Sequence, residues 1–373
     1  VNQFLVAIVQ FCRSNFAGLH LFRTDSFISV LDRSLLIIFC SVLLWTNVFD
    51  GEMQIEWFVY AQTAAYGLSA LVSVSLLFSR VGKIKLDVQR IFSIAVLKQS
   101  FPYALLILLM MLYTRIDAVM LERLLPDGDE QAGIYAQGYR LLDAVAMFAL
   151  LFAGLLLPIF SRLIKLKKSV SEMLELAYRL LFGISIITGL VCFFYQVPLI
   201  GLRYPTANEL SAVTFGYLIL SFIPVSLGYV FGTLLTANGS LKQLNIMAIS
   251  GLLLNVVLNF VLIPKFKAEG AAIATLTTQS LTVLAQIIMV YVLFKLKINW
   301  MLYSKYAALI IWLVGGYYVL EEYSSYIRTF QALGWLFLSS VSLAFLLGIF
   351  RMNDFRSVLR TESEGEDEES SSH

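Results

Sequence analysis

Two pairs of ionisable residues, Arg115 with Asp117 and Arg140 with Asp143, stand inside otherwise apolar sequence. Charge at membrane depth costs several kcal/mol unless it is paired or faces water, so such residues are functional candidates by default. Two guanidiniums held at one level can grip a phosphate or carboxylate through bidentate hydrogen bonds. Tyr113, Tyr135, Gln137 and Tyr139 add hydroxyl, amide and aromatic surface of the kind that suits sugar rings. Arg115 lies before the end of one apolar segment and Arg140 after the start of the next, so at 1.5 Å per residue both fall roughly 10–14 Å below the same surface. A plainer reading has the carboxylates neutralise the arginines. Arg140 and Asp143, spaced i,i+3, can meet on one helix face, whereas Arg115 and Asp117, spaced i,i+2, do not face each other.

A second polar pair, Asn255 and Asn259, follows Gly251 at i,i+4 in ISGLLLNVVLNFVLIP. Glycine lets helices approach, and intramembrane asparagines either hydrogen-bond across helices or line a cavity. The segment EGAAIATLTTQS (269–280) reads as a small-residue packing surface. Prolines 102, 158, 224 and 264 each free a carbonyl and bend a helix. With His20 and the terminal His373 as the only histidines, metal or haem chemistry has few ligands, and no catalytic residue, metal or cofactor is expected. Phosphate-loop, HExxH and GxSxG motifs are all missing.

The elements that carry these residues follow from composition. Of 373 residues 59% are hydrophobic and 14% charged, with a mean hydropathy of +0.80, which excludes a soluble enzyme and fits an all-α polytopic membrane protein. Cys12, Cys40 and Cys192 lie in apolar runs and read as small core residues. Eleven segments are long enough to cross a bilayer, near 1–19, 26–49, 57–80, 98–122, 131–160, 173–197, 208–235, 241–264, 268–296, 301–320 and 330–350. Alternate connections carry 18 basic residues and the opposite ones five, a bias that predicts a cytoplasmic C-terminus. Six acidic residues sit in the Ser-rich tail from Thr361 to His373; without them 19 acidic residues face 27 basic ones. That excess suits anionic lipid headgroups or an anionic substrate, and nucleic acid is not an expected partner. The chain divides into 1–80 (three helices), a basic and amphipathic linker 81–97, 98–297 (six helices), 298–352 (two helices) and an acidic disordered tail 353–373. It opens on Val1 within an apolar run, which predicts a missing N-terminal part or a GTG start.

The runs FPYALLILLMMLYTRIDAVMLERLL…AGIYAQGYRLLDAV and LLTANGSLKQLNIMAISGLLLNVVLNFVLIPKFKAEGAAIATLTTQS, with LFRTDSFISVLDR, carry a resemblance. Over roughly residues 20–300 the chain resembles the polysaccharide-transporter (O-antigen-type) flippases of the multidrug/oligosaccharidyl-lipid/polysaccharide exporter superfamily. The resemblance implies a two-lobed bundle, here with an incomplete first lobe lacking three helices. It implies movement of a lipid-linked oligosaccharide, undecaprenyl-diphosphate-linked, across the bacterial inner membrane by alternating access for cell-surface polysaccharide assembly. H+ or Na+ would be the coupling ion, with Asp117 or Asp143 able to titrate, and Arg115 and Arg140 would be cationic cavity residues. A cation-coupled multidrug antiporter of the same fold, which favours a carboxylate-dominated cavity, is the first alternative. A membrane oligosaccharide polymerase or ligase is a further one, opposed by the short outer connections.

Overall fold

In hydrocarbon, an apolar run satisfies its own backbone N–H and C=O groups by becoming a helix, and every regular element among the described residues is α-helical. The computed structural model describes residues 1–19, 21–45, 55–81, 90–296, 299–322 and 326–351. The acidic tail and the middle of the expected linker (82–89) lie outside these. By contact the chain divides into two units, Val1–Ser93 and Ile94–His373.

The first unit packs α1 (Asn2–Gly18), α2 (Phe22–Trp45) and α3 (Ile55–Val81) around Val9, Cys12, Phe16, Ile28, Ala70 and Leu77. Two of its side-chain contacts tie helices together. Arg13 Nε donates to Asp25 Oδ1 at 2.7 Å and Thr63 Oγ1 to Asn2 Oδ1 at 2.7 Å.

In the second unit the elements are α4 (Arg90–Leu124), α5 (Gly128–Lys165), α6 (Ser171–Phe194), the short α7 (Gln196–Arg203), α8 (Glu209–Leu220), α9 (Phe222–Ala237), α10 (Leu241–Phe294), α11 (Trp300–Glu322) and α12 (Tyr326–Leu346). Eight described stretches are long and apolar enough to cross a membrane. Residues 90–97, expected as linker, instead form the first turns of α4. The expected segment 208–235 is built of two helices, α8 and α9, meeting at Ser221, three residues before Pro224, whose ring leaves the Leu220 carbonyl without its helical donor. The expected segments 241–264 and 268–296 are the two arms of α10, whose 54 residues would span about 81 Å if straight, far beyond the ~30 Å of a hydrocarbon core.

That length is accommodated by a reversal at Lys267, whose φ of 53° and ψ of −132° are not helical. Pro264 already lacks a helical N–H, and beyond the bend the chain returns along itself. A Cβ placed on Gly270 would sit 2.5 Å from the Leu262 carbonyl oxygen, and one on Gly251 2.9 Å from Thr282 Oγ1. The two arms of α10, 241–266 and 268–294, therefore make a hairpin, and so do α4 and α5. There a Cβ on Gly128 would collide with the Glu122 carbonyl. Both tips need glycine because backbone lies against backbone. Around the hairpins the buried core includes Leu142, Phe160, Leu180, Ile187, Phe222 and Phe231.

Replacing Gly270 by Ala should destabilise the protein by about 1–3 kcal/mol through overpacking. The same change at Gly154, where nothing lies within 4 Å of a new Cβ, should be neutral. Thermal unfolding midpoints of the purified variants in one detergent decide this; equal midpoints would remove the tight tip from the account.

Candidate functional site

The two hairpins meet tip to tip through polar groups. Lys267 Nζ donates to Asp127 Oδ2 at 2.8 Å, and Gln131 Nε2 donates to the same oxygen at 3.0 Å. The amide N–H of Ala268, the first residue past the bend, donates to Gln131 Oε1 at 3.4 Å. Asp127 stands in the turn outside the helices. The Lys267 ammonium and then the Gln131 amide hold its carboxyl below the ordinary carboxylate range.

Below this clamp lies a second layer. Asp117 and Tyr135 are each nine residues from Pro126 on the first hairpin, and Asn259 and Thr275 each eight from Lys267 on the second. All four thus lie about 12–14 Å below the tips at 1.5 Å per residue. They converge. The Asp117 carboxylate, 1% exposed, accepts hydrogen bonds from Tyr135 Oη at 2.8 Å, Thr275 Oγ1 at 2.6 Å and Asn259 Nδ2 at 2.5 Å. Asn259 Nδ2 also donates to Asn255 Oδ1 at 3.0 Å. Asn255 Nδ2 and Asn259 Oδ1 remain buried without a protein partner. Among the described residues no cationic side chain pairs with Asp117; neutral donors alone hold it.

Seven of the eight candidate residues fall into two groups, with Arg140 outside both. Asp117, Tyr135, Asn255 and Asn259 form the buried knot just described. Arg115, Tyr139 and Asp143 lie beside it, with the Tyr139 ring stacked on Tyr135 at 5.6 Å between centroids and the Arg115 guanidinium 6.0 Å from the Tyr139 ring centre. Arg115, Arg140 and Asp143 are exposed. Among the described residues neither arginine forms an ion pair, so local neutralisation of Arg115 by Asp117 or of Arg140 by Asp143 is not what these carboxylates do. Asp143 and Tyr139 instead line a chamber of about 310 Å³ between α4, α5, α9 and both arms of α10. No group of three or more His, Cys, Asp or Glu able to hold a metal ion occurs among the described residues.

Sequence reasoning missed Thr275, which lies in the stretch taken for packing. A signal was present: Thr275, Gln279, Thr282 and Gln286 recur at helical spacing (i, i+4, i+7, i+11), and all but Thr275 line the chamber.

The second unit is thus a bundle of helical hairpins with a carboxylate tied into its interior and a guanidinium beside it. Comparison with known proteins adds to this. Residues 1–164 match the family model described as polysaccharide biosynthesis protein. An uncharacterized membrane protein of Methanocaldococcus jannaschii is 24% identical over 279 residues, which are 73% of this chain and 65% of that protein. The chain thus spans just under two thirds of the length of the curated relative it matches. Among solved structures, the lipid II flippase MurJ in its inward closed conformation shares the fold. The TM-score is 0.64 at 14% identity, covering 94% of this chain and 73% of that one. The family model thus covers the first unit and the start of the second, and the likeness to the flippase is one of fold.

The clamp makes a pH prediction. A carboxyl held below its ordinary value stabilises the fold above the unfolded value, about 3.9 for Asp, and that contribution is lost as pH falls through the folded value. Asp127→Asn should therefore lower the unfolding temperature at pH 7, and the gap from the unaltered protein should close on acidification towards pH ~3. A gap that persists at the acid end would mean that the ion pair is not what Asp127 contributes.

Proposed function

We propose that this chain translocates a lipid-linked oligosaccharide across the bacterial inner membrane for cell-surface polysaccharide assembly. The observation that carries the proposal is the reach of the family match. The stretch 1–164 that resembles polysaccharide biosynthesis proteins contains Arg115, Asp117, Tyr135, Tyr139, Arg140 and Asp143. The substrate is undecaprenyl-diphosphate-linked. Its diphosphate is the anion for the two exposed guanidiniums, which can hold it through charge-assisted, bidentate hydrogen bonds. Membrane lipids surround its tail, and the C-terminus faces the cytoplasm as the basic residues predict.

Transport against a gradient needs a coupling ion, and Asp117 is its carrier in this reading. A carboxylate removed from water and held only by neutral donors retains its charge at a cost of several kcal/mol. Taking up H+, or Na+ shared with the oxygens of Asn255, Asn259 and Thr275, relieves that cost. Ion uptake is then felt at once by both arms of α10 and by α4 and α5, the helices that alternating access must move.

A cation-coupled multidrug antiporter is the second reading. One observation favours it: among the described residues Asp143 is the only charged one lining the 310 Å³ chamber, as a site for cationic drugs requires.

In proteoliposomes carrying a fluorescent undecaprenyl-diphosphate oligosaccharide, Arg140→Ala should reduce flipping at least tenfold, the loss expected for one charge-assisted contact of about 1.4 kcal/mol or more. Asp117→Asn should keep flipping down a substrate gradient but abolish its dependence on an imposed H+ or Na+ gradient. Normal gradient-driven flipping by both variants would end the assignment. Efflux of a cationic dye without flipping would install the antiporter.

A further inference from the structure

The chamber and the Arg115 guanidinium are adjacent, and their chemistries differ. Among the described residues Asp143 is the one charged side chain lining the chamber, while the Arg115 guanidinium stands outside it, 6.0 Å from the centre of the Tyr139 ring. A diphosphate or an acidic sugar brought inside would meet a carboxylate on the wall, with the nearest described guanidinium at the margin. Around that carboxylate hydroxyl, amide and aromatic groups alternate with aliphatic ones such as Leu106, Leu109, Met110, Leu142 and Leu244. Tyr139 comes from α5, Tyr229 and Thr233 from α9, and Gln279 and Gln286 from the second arm of α10. At about 310 Å³ it is at the lower end of small-ligand sites, which run from about 300 to 1,000 Å³.

The space is made by missing side chains. Gly228 and Gly232 on α9 face it, and a Cβ on either would meet only the Gln286 side chain, at 3.9 Å and 3.5 Å. Gly251, from the first arm of α10, completes the opening next to Thr282. Opposite the two α9 glycines, Gln286 Oε1 is a buried acceptor with no protein donor. Leaving such an acceptor unpaired costs free energy, which a ligand hydroxyl or amide would recover.

We infer that this chamber of the second unit is a sugar subsite: it takes one neutral or amino sugar residue, with donors to Asp143 and Gln286 and a ring face on Tyr139. The inference rests on the flippase reading for its substrate and adds that headgroup sugar and diphosphate are held at different places. An organic cation would use the carboxylate and the aromatic faces but leave the acceptor of Gln286 and the threonine hydroxyls unused, so hydrogen-bond-rich sugar is the better match.

Saturation-transfer NMR on the full chain in nanodiscs tests this with four free probes: N-acetylglucosamine, glucosamine, glucuronate and tetraphenylphosphonium. The first two should bind. Gly232→Val, which fills the chamber, should abolish their signal. Gln286→Leu, of similar size and less at risk of misfolding, should weaken N-acetylglucosamine, and Asp143→Asn should weaken glucosamine roughly tenfold, the value of about 1.4 kcal/mol. Preference for glucuronate, displacement of the sugars by tetraphenylphosphonium, or binding untouched by both Gly232→Val and Gln286→Leu would each overturn the subsite. Flipping of the lipid-linked probe by the unaltered protein without any sugar signal would refute the subsite and leave the flippase reading standing. Sugar binding at the chamber without flipping would do the reverse.

Discussion

A carboxylate placed among apolar helices must be solvated by the protein, and around Asp117 that requirement organises the second unit. Three donors reach it from three different stretches of chain: Tyr135 on α5, and Asn259 and Thr275 on opposite arms of α10. Each must present its polar atom at one depth. A slip of one residue in either hairpin would turn its side chains by about 100° and move them 1.5 Å along the axis, breaking the contacts and leaving a buried acceptor unpaired. The clamp of Asp127, Gln131 and Lys267 holds the same two hairpins nearer their tips, four to ten residues along the chain from the knot. Two polar layers so spaced fix the register that apolar side chains alone, packing interchangeably in lipid, would leave loose.

The tips are the other half of this arrangement. Glycine at positions 128 and 270 lets backbone lie against backbone, which is why each hairpin reverses in so few residues and why its arms stay opposed as far as the knot. Lys267, a non-glycine residue at φ 53°, adopts a conformation that costs of order 1–3 kcal/mol. Its side chain is the one that reaches Asp127. The ion pair offsets part of the backbone cost, and the bend and the clamp are one device.

Much of this was legible in the sequence, for definite reasons. Apolar runs of membrane length reveal helices because lipid allows little else, and Asp117, Asn255 and Asn259 stood out because polar groups are costly at that depth. What sequence spacing cannot give is the partner. Local rules relate residues three or four apart, so Asp117 was weighed against Arg115, and Asp143 against Arg140. The actual donors to Asp117 from α10 are 142 and 158 residues away. Thr275 was hidden for a related reason. Beside alanines and glycine a threonine reads as a small packing residue, and only its helical spacing with Gln279, Thr282 and Gln286 shows a polar stripe. The division between 241–264 and 268–296 is legible because Pro264 and the basic pair Lys265 and Lys267 look like a connection, and the reversal at Lys267 separates the two arms of α10 there.

The distribution of charge carries the argument a step further. Guanidiniums are expensive to bury, and Arg115 and Arg140 stay exposed, whereas the carboxylate that is buried, Asp117, spends its lone pairs on the fold. Asp143 is between these extremes: exposed, unpaired with Arg140, and among the described residues the sole charge on a chamber wall that mixes hydroxyls and amides with aliphatic groups. In the proposed reading, an amphiphile with an anionic joint between its sugar and its tail would need opposite electrostatics at the two ends of its headgroup. Tyr139, Arg140 and Asp143 stand within two helical turns of α5, so that reading places the two ends on neighbouring groups of one helix.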